Sequence, residues 1–210
     1  IYPYVKNPGS FSFNLDYESP SYGGWEYDWR IGYEIADKYK SWESSGYERR
    51  FAKIAGSFYP VDNFSIGYSF RVREEDEWLN WIKGNELAVY DLTQKIISLN
   101  LNWYRGTKHE IRLKSQFVAL DAINPKSLIT NTKGYLLDHT ADISPFTQGI
   151  TSFQIRYKYE IAPLSNIYLV YTKGGNVFND DKDRSTSQTF REPWNNPDNE
   201  ILSLKFRLKF

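Results

Sequence analysis

Hydrophobic and polar residues alternate along most of this chain, with a period of two rather than the 3.6 of a helix. From residue 25 to 35 the odd positions are Trp25, Tyr27, Trp29, Ile31, Tyr33 and Ile35, with Glu26, Asp28, Arg30, Gly32 and Glu34 between them. In an extended strand this puts the apolar side chains on one face and the charged ones on the other. The pattern recurs at residues 11–17, 52–58, 64–72, 97–103, 111–119, 153–161, 167–171 and 202–210, which predicts nine strands and an all-β fold. The last segment is the most regular: Leu202, Leu204, Phe206, Leu208 and Phe210 alternate with Ser203, Lys205, Arg207 and Lys209.

The links between strands sort by length. Residues 19–23, 60–63, 105–108 and 162–166 are short, while 37–46, 74–86, 121–149 and 174–199 are longer. Short and long links alternate, as an up-and-down meander with tight turns on one side and loops on the other requires. This is the order of transmembrane barrels. Tyr17, Trp25, Phe58, Phe64, Trp103, Tyr159 and Phe210 fall beside the tight turns, where amphipathic rings suit a headgroup-level girdle. The competing architecture is a soluble antiparallel barrel or sandwich, whose strands also alternate.

Composition favours the membrane. Aromatic residues make up 18% of the 210, with 17 Tyr, 13 Phe and 7 Trp, yet the mean hydropathy is −0.61. A soluble core leans instead on Leu, Ile and Val. No apolar run is long enough for a spanning helix, so any crossing is by strands. The 26 acidic and 26 basic side chains cancel, so nothing global points to nucleic acid. Cysteine is absent, which removes disulfides and thiolate chemistry. The chain contains no Met and opens on Ile1, so residues 1–210 are expected to be the C-terminal part of a longer outer-membrane barrel. Nine strands leave at least one upward strand to be found, because single-chain bacterial barrels are even-stranded.

A terminal strand of alternate apolar residues ending on Phe210 resembles the targeting strand of bacterial outer-membrane proteins, which implies a lipid bilayer and the barrel-assembly machinery as partners. Together with "SFQIRYKYEIAPLSNIYLVYTKG" (residues 152–174) and "KSQFVALDA" (residues 114–122), it resembles the C-terminal barrel of a domain-of-unknown-function family. In that family the barrel often follows a carbohydrate-binding module similar to those of family nine. The resemblance implies contact with glycans and transfers no catalytic residue.

Candidate chemistry is sparse. His109 and His139 are the only imidazoles, and the spacings of metalloprotease, nucleotide-binding and hydrolase motifs do not occur. Asp180, Asp181 and Asp183 lack the spacing of a calcium loop. Neither a cofactor nor a metal is expected. The polar face carries Asp16, Glu18, Glu26, Asp28 and Glu34 on its first strands and Arg71, Arg73, Arg112, Lys114, Arg156, Lys158, Lys205, Arg207 and Lys209 on later ones. Opposed walls of this kind would line a passage in a wide barrel and plug a narrow one. Trp78, Trp81 and Trp194 fall in expected loops, where they could stack on sugars or on a partner. The expectation is therefore a non-enzymatic outer-membrane barrel that anchors or forms a passage, to which the family resemblance adds a link to a glycan-binding module. The alternative is a structural subunit that binds another outer-membrane protein.

Overall fold

The computed structural model describes residues 9–36, 47–180 and 184–209. The expected loop at 37–46, the possible strand before residue 9, Asp181, Asp183 and Phe210 lie outside the described residues. Ten strands and one helix follow in order: β1 (Ser10–Glu18), β2 (Trp25–Ala36), β3 (Glu48–Val61), β4 (Phe64–Lys83), β5 (Glu86–Arg105), β6 (His109–Thr130), β7 (Leu136–Asp138), β8 (Phe146–Ala162), β9 (Ser165–Asn179), α1 (Thr186–Asn195) and β10 (Asn199–Arg207). They form one antiparallel sheet ordered β1-β2-β3-β4-β5-β6-β8-β9-β10, with the short β7 paired to β6. The fold is thus all-β and up-and-down, and its nine long strands are those the alternation predicts. Among the described residues the sheet is open, with β1 and β10 as its edges.

Turn chemistry explains the tight side. Between β1 and β2, Gly23 and Gly24 both take positive φ. At Gly24 a Cβ would lie 2.4 Å from the Tyr59 carbonyl oxygen, so the turn can press against β3 only without a side chain. Gly106 and Leu164 supply the left-handed positions of two other turns.

Two expected loops prove to be strand. Residues 74–86 continue β4 and β5 to a tight turn at Gly84 and Asn85, and residues 121–130 continue β6. Strand persists because this extension buries apolar residues on both faces. Ala88, Tyr90, Leu92, Leu120, Ala122 and Phe146 form one cluster, with Trp78 and Ile143 against it. Leu87, Val89, Leu128 and Leu136 form a second, with Leu79. Bulges between Glu75 and Trp78 and between Val89 and Asp91 bend the extension. Asp91 touches both: it accepts from the Asn124 side-chain amide at 2.7 Å and from the Glu77 backbone N–H at 3.5 Å.

Candidate functional site

The pairing register puts the predicted apolar positions that it covers on one face. Ile54, Phe70, Ile97 and Phe117 form one cross-sheet row; Trp25, Phe58, Ile66, Leu101, Leu113, Ile155, Tyr171 and Leu202 form another. Many of these side chains are exposed, Phe11 at 69% and Leu202 at 68%. An apolar surface of this extent is not what a sheet shows to water. Between those two rows Gly56 pairs with Tyr68, whose hydroxyl oxygen lies 2.8 Å from where a Cβ on Gly56 would sit.

The apolar band has edges, and the edges slant. On β4 it runs from Phe64 to Val72, with Glu74 beyond; on β2 it runs from Trp25 to Ile35. Nine to eleven residues of tilted strand rise roughly 20–25 Å, the height of a bilayer's hydrocarbon. On β1 the band occupies Phe11 to Tyr17, level with Ile35 to Trp29. On β10 it occupies Leu202 to Leu208, level with Tyr171 and the residues below it on β9. Followed through the register, the band drops five rows of two residues over the eight steps from β1 to β10. That is about 33 Å along the strands against about 38 Å across them, a tilt of about 40°.

Aromatic rings cluster along the tight-turn margin. Trp25 stacks on Phe58 at 4.0 Å, and Tyr17 lies 5.9 Å from Trp29. His109 belongs to this margin: its Nδ1 is 2.7 Å from the Tyr157 hydroxyl and its ring is 5.0 Å from Tyr159.

The opposite face carries the charged positions of the sequence reading from Asp16 to Arg207, and six of them, Asp16, Asp28, Glu34, Arg73, Arg112 and Arg156, meet ion-pair partners on the same wall. Asp16 pairs with Arg30, and Asp28 with Lys53 at 2.7 Å. Arg49 bridges Glu34 and Glu75, each at 2.8 Å, while Arg73 also donates to Glu75 and the Tyr47 hydroxyl donates to Glu34 at 2.9 Å. Glu110 holds both Arg112 and Arg156, the latter at 2.6 Å. Arg49 and Glu110, central to these networks, are absent from the residues singled out in the sequence; only cross-strand register reveals them. Glu26, Arg71, Lys114, Lys158, Lys205 and Arg207 have no ion-pair partner among the described residues. Between the acidic and basic strands the wall is lined by small polar residues. Ala55, Ser57, Gly67, Ser69 and Asn100, with Glu26, Asp28 and Lys53, border a cleft of about 520 Å³.

The three tryptophans do not sit in loops. Trp78 is in β4, its ring 6.2 Å from Tyr90. Trp81 is also in β4, but 55% exposed near the hairpin tip, its Nε1 donating to the Gly84 carbonyl at 3.1 Å. Trp194 lies in α1, against Phe117 and Phe153, with Lys173 Nζ 4.7 Å from its ring. The helix begins at a capping box of Ser185 and Gln188 and packs across β6, β8 and β9 on the apolar face. It covers Thr147, Gly149 and Thr151, above the apolar stretch Phe153 to Ile161 of β8. Asp121 of β6 pairs with Thr147 and has a buried Oδ1 without a hydrogen bond; burial raises its pKa above the usual carboxylate range, and Lys95 opposes that shift. Lys95 itself donates to Thr186 at 2.7 Å. His139 is half-buried beyond β7, its backbone N–H on the Ser127 carbonyl. Among the described residues no group of His, Asp and Glu is placed to hold a metal.

No family model matches the chain, and no curated protein does. Among solved structures, it is similar to the β domain of the Bordetella autotransporter BrkA, at 13% identity and a TM-score of 0.36, over 82% of this chain and 72% of that one.

Proposed function

We propose that this chain is the wall of an integral outer-membrane β-barrel protein, whose apolar face contacts lipid and whose polar face lines an aqueous passage. One observation carries the reading: a slanted, bilayer-high apolar band on one face, backed by a paired polar network on the other. In hydrocarbon only helices and closed barrels satisfy their backbone groups, and side chains of the band such as Phe11, Leu15, Leu202 and Leu204 stand exposed rather than packed under another described element. The tight turns then face the periplasm and the extended β4–β5–β6 region and α1 face outward. The alternating residues Leu202 to Leu208 of the last strand fit the strand that barrel-assembly machinery engages. The reading assigns no catalysis to the chain; His109 is committed to Tyr157.

The test compares neighbouring residues of β5 in the full-length protein. Leu99→Arg puts a cation at mid-band on the lipid side, where it costs about 2–4 kcal/mol, and should abolish stable insertion or lower folding stability in bilayers by that amount. Ser98→Arg, on the polar face, should insert normally. Equal tolerance of the two, or a detergent-free soluble protein, overturns the proposal.

A second reading, attachment to another outer-membrane protein or to a glycan, is favoured by Trp81. Its exposed ring at the hairpin tip is a large flat surface of the kind used for stacking and docking. A Trp81→Ala variant that keeps its membrane level while losing a co-extracted partner or retention on a glycan column would support it.

A further inference from the structure

The two edges of the sheet show how the wall must be completed. Every residue of β1 and of β10 is exposed, and one side of each strand has no ladder partner among the described residues. Both edges carry charges on their polar face, Asp16 and Glu18 on β1 and Lys205 and Arg207 on β10, but their apolar faces lack the devices that protect an open edge in water. The apolar faces present Phe11, Phe13, Leu15 and Tyr17 on β1 and Leu202, Leu204, Phe206 and Leu208 on β10, without a proline, a bulge or an inward charge. In lipid, each backbone group left unpaired along such an edge is costly. Both edges therefore need a strand beside them.

Direction decides which strand. β1 runs toward the tight-turn side, since Glu18 leads into the turn at Gly23 and Gly24, and β10 also runs toward that side from Asn199. Joined to each other they would pair in parallel, whereas all eight neighbouring pairs along the sheet are antiparallel. A second copy does not help, because rotation about the membrane normal preserves strand direction and makes the same parallel seam. Resting on the barrel reading above, we infer that the gap between β1 and β10 is filled by an odd number of further membrane strands of the same polypeptide, those beside β1 and beside β10 running upward.

Two further features fit that occupant. The slant sets the heights at which it must pair: Ser12 of β1 and Ser203 of β10 lie at the same depth, as do Asn14 and Lys205. Charge sets its polar face. Lys205 and Arg207 line a cleft of about 460 Å³ with Arg156, Tyr168 and Ser203, so the strand beside β10 should present acidic residues there. Parity also agrees with the even strand numbers of single-chain bacterial barrels.

Because this chain has no cysteine, disulfide trapping in the full-length protein in native outer membranes is a direct test. The pair Ser98→Cys and Gln116→Cys, on adjacent strands in register, should crosslink within one molecule. Ser12→Cys with Ser203→Cys and Asn14→Cys with Lys205→Cys should not. An intramolecular disulfide at either edge pair means that β1 meets β10 directly and overturns the inference. A disulfide-linked dimer through the edge pairs means that a second copy fills the gap and overturns it equally. A strand count by electron cryomicroscopy should be even and at least ten, and an odd count sinks the inference while leaving the membrane wall intact. Release of the protein by carbonate wash instead sinks the barrel reading, and the inference with it.

Discussion

At the scale of single residues, the informative positions are those where a side chain would have to be absent or neutral. Gly149 and Gly175 let α1 lie directly on the sheet: a Cβ there would come within 2.1 Å of the carbonyl oxygens of Thr189 and Pro193. Gly149→Val should displace the helix and cost about 1–3 kcal/mol, read as a shifted urea midpoint of the folded protein in detergent. Gly67→Ala, whose Cβ meets nothing closer than 3.6 Å, should leave that midpoint unchanged. Asp121 gives a pH prediction. Burial raises its pKa in the folded state, so folding holds its proton more tightly than the unfolded chain does. The stability it contributes is therefore greatest in acid and is lost as pH rises through the raised value. Asp121→Asn should remove that loss, gaining stability relative to the parent as pH climbs from about 4, the ordinary carboxylate value. A parallel pH dependence in both proteins would contradict this. The glycines were visible in the sequence, but not what approaches them, because α1 and β8 are brought together only by the sheet.

At the scale of elements, period-two alternation located the nine long strands and failed above the band. Residues 87–92, Leu-Ala-Val-Tyr-Asp-Leu, are nearly continuous in apolar character. The rule that half-buried strands alternate does not see such a run, since it is buried on both faces. The expected loops at 74–86 and 121–149 were therefore too long. The helix was missed for a different reason. It has ten residues and a proline at position 193 within it, too short for a periodic signal, although Ser185 and Gln188 form a readable capping box. The placement of Trp194 followed from that omission. Ser185→Ala removes the cap's hydrogen bond to the Gln188 amide and should loosen α1 by about 1 kcal/mol. Faster tryptic cleavage at the exposed Arg191, with the sheet's infrared amide band unchanged, is the expected outcome.

At the scale of the whole molecule, charge in the sequence suggested an acidic wall facing a basic one, whereas the register shows that much of it is spent locally. Glu34, Arg49, Glu75 and Arg73 form a chain across β2, β3 and β4, and Glu110 ties β6 to β8. Paired in this way, those groups stiffen the wall and add little net field at a distance. What remains to act on a solute is the set without ion-pair partners among the described residues: Glu18 and Glu26 on the first strands, Arg71 and Lys114 on the central ones, and Lys158, Lys205 and Arg207 on the later ones. The balance of these is basic, and the small residues beside them leave room for water, so an open lumen should favour anions. Neutralising Arg112 should therefore matter less than neutralising Arg71 and Lys114, which have no carboxylate to answer for them. In planar bilayers at low salt, where charges are screened over about 30 Å rather than 10 Å, the full-length protein should show an anion-selective reversal potential. The double variant Arg71→Gln, Lys114→Gln should move it toward cations, and raising the salt should erase the difference. A cation-selective parent would place the controlling charge on Glu26 and its neighbours instead, and a sealed bilayer would leave the wall as an anchor.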